Sequence, residues 1–218
     1  LRPFLEFYIP LALTSLLGLA VNPIGSAALS RMPLAIESLA AWSVVNGLGF
    51  MFRALGIAYN EVVVALLDQP QAYLHLRRFA LWLAGITTLL LLLMAATPFS
   101  RVWFQTISGL SPELTDLAVS GLWLVLPTPA LAVYQSLLQG MLLHGRQTRR
   151  ISESVILYLT TCVVLFVAGV LWQGMPGLYY ALLVFAIAMT VQTAWMWHAS
   201  RPLRAQSAAS QGMATELE

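Results

Sequence analysis

Lysine is absent from this sequence: all eleven basic residues are arginine, set against nine acidic ones, and charged residues make up only 9% of the chain. A globular domain carries about 25%. So little charge leaves no solvated surface for a soluble domain of useful size, and a net charge of +2 argues against a nucleic-acid partner. Cysteine is nearly absent too. Cys162 stands alone in an apolar run, which excludes a disulfide framework and a thiolate metal site. Histidine is scarce, and His75, His144 and His198 fall at the ends of apolar runs or in loops. There is no HExxH, no GxSxG and no glycine-rich phosphate loop. Asp68 and Asp116 lie at run ends, so no intramembrane aspartate pair forms. Neither catalysis nor a bound cofactor or metal is expected.

What the chain has is apolar sequence. Hydrophobic residues make up 59% of it and the mean hydropathy is +0.79, the composition of an integral membrane protein. Six runs are long enough to span a bilayer, at about 8–30, 38–67, 79–97, 114–143, 151–172 and 178–198, given that roughly 20 residues cross the hydrocarbon core. The expected fold is therefore all-α, a polytopic bundle of six transmembrane helices over residues 1–200. A small, polar tail over 201–218 is expected to be disordered and cytoplasmic. No cleavable signal peptide is visible, because Glu6 and Pro10 interrupt the start. The first residue is Leu1, and a fragment of a longer chain or a processed form is expected.

The stretch from Ala40 to Leu67 organises the rest. Its 28 residues give about 42 Å of helix, more than a bilayer core needs, yet it carries Arg53 and Glu61. Asn46, Arg53 and Asn60 recur every seven residues and so share one helix face, with Gly49 and Gly56 close to it. Arg53 falls near mid-span, where translocon scales put a charged side chain at roughly 2.5–3.5 kcal/mol. It should face protein or water. There it could hold an anionic group, or cap carbonyls released by Pro23 or Pro127. Glu61 lies about 12 Å further along the helix, turned from Arg53 by about 80°, so a direct pair within the helix is not expected. It is either a proton or cation site or a carboxylate reaching interfacial water.

The other runs supply partners for this seam. Asn22-Pro23 interrupts the first run and leaves the Leu19 carbonyl without its helical donor, which a bilayer tolerates only beside a neighbouring group or a wet cavity. Ser15, Gly18, Asn22 and Gly25 make a small, polar stripe suited to helix packing. The third run has Thr87 and Thr88 as its only polar residues and is the best candidate to face lipid. Ser111-Pro112-Glu113 looks like a helix start. The fourth run contains Pro127-Thr128-Pro129 near its centre, and Thr128, Ala132, Gln135 and Gln139 follow i, i+4, i+7, i+11 spacing, a second polar seam beside a broken backbone. In the fifth run Ser154, Tyr158 and Thr161 share a face, and Gln192 is the sixth run's only strongly polar interior residue. Interrupted helices at mid-bundle are where transporters build sites and hinges, so Pro23, Pro127 and Pro129 are candidate hinges. Asn22, Asn46, Arg53, Asn60, Glu61, Thr128, Gln135, Gln139 and Tyr158 are candidate substrate or ion pathway residues. Asn and Gln at such positions also serve as interhelical hydrogen-bonding residues.

Six spans put both termini on one side. That side holds Arg2, Arg77, Arg78, Arg146, Arg149, Arg150, Arg201 and Arg204, and the other only Arg31 and Arg101, so the positive-inside rule makes both termini cytoplasmic. The cluster from Arg146 to Arg150 is read first as this topology signal, and alternatively as a contact for anionic lipid head groups. Trp42, Trp103 and Trp172 are then expected in an outer aromatic belt, and Trp195 and Trp197 in an inner one.

Three stretches carry a family resemblance: FYIPLALTSLL at 7–17, SLAAWSVVNGLGFMFRALG at 38–56 and PALAVYQSLLQGMLLHGRQTRR at 129–150. Over about 7–198 the chain resembles one six-helix half of the multidrug/oligosaccharide-lipid/polysaccharide exporter (MATE-like, MOP flippase) superfamily. It is most similar to the progressive ankylosis protein family and its bacterial relatives. The resemblance implies two six-helix halves related by an axis along the membrane normal, a central cavity, and alternating access. It matches the cavity-lining helices to Asn22, Arg53, Asn60, Glu61, Gln135 and Gln139. Two departures stand out: only one half is present, and Asn22 occupies the first-helix position where cation-coupled members tend to place an acid. The missing half would come from the same polypeptide, this chain being the carboxy-terminal half, or from a second copy. The expected partners are membrane lipids, a second six-helix half and a small-molecule substrate.

The functional expectation is a half-unit of a secondary transporter or flippase that exports an anionic or amphiphilic solute across the cytoplasmic membrane, with a proton or sodium ion as the coupling ion where there is one. A cation-coupled multidrug antiporter of the same fold and a non-transporting membrane subunit or scaffold are the alternatives.

Overall fold

A computed structural model of the chain describes residues 20–67, 69 and 72–203. The described residues are helical, with no strand among them. Helix α1 covers residues 20–29, α2 Ala35–Leu66, α3 Ala72–Ala96 and α4 Phe99–Arg101, which runs directly into a π-helical turn at Val102–Ile107. Then come α5 Pro112–Val125, α6 Thr128–His144, α7 Thr148–Trp172 and α8 Gly177–Ala199. Five of the described helices are long and apolar enough to cross a membrane, α5 and α6 counting as one interrupted span. They correspond to the second through sixth runs. Most of the first run, including Ser15 and Gly18, lies outside the described residues, as does the tail beyond residue 203. Residues 201–203, placed in the tail by the sequence reading, are helical.

The interruption in the fourth run falls where its prolines predict. Leu126 donates to Trp123 and the ladder resumes with Leu131 donating to Pro127, so Pro129 occupies a first-turn position of α6 where its missing N–H is no loss. Pro23, by contrast, lies within a helix that continues around it. Ser111 caps α5 as predicted, its hydroxyl accepting from the Leu114 amide at 3.4 Å.

Helix α6 is the centre of the bundle, in contact with α2, α3, α7 and α8. Its closest approach is to α2. A Cβ on Gly56 would lie 2.9 Å from the backbone nitrogen of Val133, and one on Gly140 would lie 2.5 Å from the Val63 side chain. Without a hydrophobic drive between apolar helices in lipid, this kind of small-residue crossing is what lets the backbones meet. One hydrogen bond ties the crossing to a neighbour and one lies within it. Tyr59 donates to the Leu76 carbonyl at 2.7 Å, joining α2 to α3, and Asn60 donates to the Ser136 carbonyl at 3.2 Å, joining α2 to α6.

The ends of the bundle are also tied. At one, Gly177 donates to Pro33 at 3.1 Å; at the other, Arg150 donates to the Ala199 carbonyl at 3.0 Å. The outer surface is apolar. Helix α3 exposes Phe79, Trp82, Ile86, Leu89 and Leu93, as expected of a lipid-facing helix, and α7 exposes Val164, Val167 and Leu171 in the same way. Trp172, Trp195 and Trp197 are exposed near helix ends. Trp42 is a correction: it is buried and stacks on Phe185 at 5.0 Å between ring centroids, so it belongs to the core of α2 and α8 and not to a belt. Its flat apolar area is better satisfied by another ring than by the interface.

Candidate functional site

The two polar seams meet. Asn60, Arg53 and Glu61 from α2, Gln135 and Gln139 from α6, Tyr158 from α7 and Gln192 from α8 line one cavity of about 510 Å³. A second cavity of about 410 Å³ adjoins it, lined by Asn22 from α1, Ser43 and Asn46 from α2, and Phe185 from α8. Phe50, Arg53 and Tyr158 belong to both. Arg53 therefore stands at the junction of two polar spaces, in the middle of a helix long enough to cross a membrane.

Arg53 is held from its own helix. Its Nη2 donates to Oδ1 of Asn46 at 3.1 Å, two turns earlier, and its Nη1 lies 4.0 Å from the Met189 sulfur. Its Nε is buried without an acceptor. The Trp123 carbonyl that Pro127 releases accepts from Leu126, and the Leu19 carbonyl that Pro23 releases lies outside the described residues. A guanidinium with five donors, one of them on a neutral amide, keeps capacity for an anionic oxygen.

Gln135 is the structural knot of the site. Its Nε2 reaches the Met189 carbonyl, Gln192 Oε1 and Thr193 Oγ1 at 3.1, 3.2 and 3.1 Å, and Gln192 in turn reaches Ser154 Oγ at 3.5 Å. The chain of contacts ties α6 to α8 and α8 to α7. Gln139 and Glu61 line the same cavity, exposed.

Of the residues expected from the sequence, Asn22, Asn46, Arg53, Asn60, Glu61, Gln135, Gln139 and Tyr158 are thus brought to the two cavities. Thr128 is not. It is buried and donates to the Val125 carbonyl at 2.8 Å, where it helps finish α5 at the proline break. The structure adds Gln192, Thr193 and Ser136. The signal for the first two was present in the sequence, since Met189, Gln192 and Thr193 fall at i, i+3, i+4 and so share a face. Ser136 contributes through its carbonyl, for which no residue type is a signal.

Among the described residues no group of three or more His, Cys, Asp or Glu side chains could hold a metal ion. Several helices long and apolar enough to cross a membrane make this a multi-pass helical membrane protein. No family model, no curated protein and no solved structure matches the chain.

Proposed function

We propose that the chain is a six-helix half-unit of a MATE-like secondary transporter or flippase, which moves an anionic or amphiphilic solute out across the cytoplasmic membrane by alternating access. Both termini are cytoplasmic in this reading, supported by the arginine asymmetry between loops. A second half, from the same polypeptide or a second copy, closes the cavity. Arg53 binds the anionic group. Asn22, Asn46, Asn60, Gln135, Gln139 and Tyr158 line the path, and the break at Pro127 and Pro129 gives the bundle its hinge point, with Pro23, inside a continuous helix, as a second candidate.

The single observation that supports this most is the state of Arg53. It sits at mid-helix between two cavities, its hydrogen-bond partners are neutral, and no described ion pair includes it. A charge costly to place at that depth is retained where it can meet a ligand. The exposed position of Glu61 in the same cavity supports the second reading, a cation-coupled multidrug antiporter in which Glu61 takes the ion.

The test is reconstitution of the full chain into liposomes. Efflux of fluorescent organic anions, and dithionite accessibility of an NBD-labelled phosphatidylglycerol from the inner leaflet, are followed with and without protein. Protein-dependent movement that is lost in Arg53→Ala is the expected result. Loss in Glu61→Gln alone points to the antiporter. No movement beyond protein-free liposomes, with or without a pH or sodium gradient, leaves the scaffold alternative standing.

A further inference from the structure

The cavity that holds Arg53 at one end holds Glu61 along the same helix. Their backbones are about 12 Å apart along α2, at roughly 1.5 Å per residue. Among the described residues, no ion pair includes either charge. Arg53 has neutral partners, and the described ion pairs, Arg101 with Asp116 and Arg149 with Glu153, leave Glu61 out. A cavity with one charge of each sign at a fixed separation is complementary to a molecule with the reverse arrangement.

The surface between the two charges has its own pattern. Asn60 and Gln135 each commit the amide nitrogen to the protein, Asn60 to Ser136 and Gln135 to Met189, Gln192 and Thr193. No described residue donates to their carbonyl oxygens, and both residues line the cavity. Phe50 and Ile57 give the α2 side an apolar wall. Along α2 the order is Arg53, Ile57, Asn60, Glu61.

The geometry points to a zwitterionic substrate, with its anionic group on Arg53, its ammonium group on Glu61, and N–H or O–H donors between them meeting Asn60 and Gln135. This rests on the reading of Arg53 as the anion site and adds a second charge and a spacing. An extended peptide advances roughly 3.3–3.6 Å per residue. A three-residue zwitterion, with about 10 Å between its charged ends, is close in length to the roughly 12 Å helical rise from Arg53 to Glu61; a single amino acid is far shorter.

The experiment is titration calorimetry on the full chain purified in detergent, with four probes: trialanine, N-acetyl-trialanine, trialanine amide and alanine. Trialanine is expected to bind, and each of the other three to bind about tenfold more weakly or worse, the cost of losing a hydrogen bond between charged groups. Glu61→Gln is expected to bring trialanine and its N-acetyl form to equal affinity, and Arg53→Ala to do so for trialanine and its amide. The charges are deleted from the ligand as well as from the protein, so the wild-type titrations decide the matter even where a variant fails to fold. N-acetyl-trialanine binding as tightly as trialanine, with both lost in Arg53→Ala, overturns the zwitterion and leaves the anion site. Binding of none of the four also overturns it, while the anion site is judged independently by the dye and lipid measurements above.

Discussion

Asn46 and Arg53 lie two turns apart on one helix, and the 3.1 Å hydrogen bond between them fixes the direction in which a mid-helix guanidinium points. The bond leaves the arginine charged, because its acceptor is an amide. An acid at position 46 would hold the same geometry and cancel the charge. Asn46→Asp is therefore expected to keep or raise the melting temperature while abolishing binding of anionic probes. Asn46→Leu leaves a part-buried donor without its acceptor and should cost about 1–3 kcal/mol. Thermal unfolding in detergent beside titration of trialanine checks both.

The α2–α6 crossing predicts two glycine substitutions with different rescue. The Cβ of Gly140→Ala would meet the Val63 side chain, whereas that of Gly56→Ala would meet the backbone nitrogen of Val133. Both should destabilise by about 1–3 kcal/mol, the usual cost of overpacking. Adding Val63→Gly, which removes both atoms the new Cβ would meet, Cγ1 at 2.5 Å and Cβ at 2.8 Å, should restore part of the loss at Gly140. Adding Val133→Ala should restore little at Gly56, because a backbone cannot be trimmed. Melting temperatures of the two single and two double variants test the difference.

Hydrogen bonds between helices give a matched pair of outcomes. Tyr59→Phe removes a donor to the Leu76 carbonyl away from either polar cavity, and should lower stability by about 1 kcal/mol with no change in ligand affinity. Gln135→Leu removes the knot between α6 and α8 and a cavity acceptor together. It should cost about 0.6 kcal/mol of stability, the average for such bonds in membranes, and no more than about 1.7 kcal/mol, and weaken binding as well. Equal effects of both variants on affinity would contradict this division.

A wet cavity can be read by cysteine labelling, because the native Cys162 is buried and gives little background. Gln139→Cys should react with a charged, water-soluble thiol reagent. Leu138→Cys, one residue away and 1% exposed, should not. Leu90→Cys is 47% exposed but on the apolar outer face, and in liposomes it too should stay unreacted. Reaction at Leu90 and not at Gln139 would place water and lipid on the wrong sides of the bundle.

Much of this was legible in the sequence because helices in an apolar setting leave few choices. Hydropathy located the five described spans to within a few residues at most boundaries, though α3 starts at Ala72 and not near 79, since a polar first turn can be helical without being apolar. The seven-residue spacing of Asn46, Arg53 and Asn60 predicted a shared face, and the Asn46–Arg53 bond is that face made physical. The π-helical turn at Val102–Ile107 had no such signal, because it depends on how the chain turns over between α3 and α5.

The residue pattern by itself determined that the chain is helical, apolar outside and polar along two seams, since period and hydropathy are properties of single helices. Which helices meet was decided only in three dimensions. Gly56 and Gly140 bring α2 against α6, and that contact sets Asn60 beside Ser136 and opens the cavity shared by Arg53, Glu61 and Gln135. Trp42 shows the same limit from the other side: its composition suits an interface, but the ring of Phe185, 143 residues away in the chain, takes it into the core. A helix's own sequence specifies its faces; the shape of its neighbours specifies what each face touches.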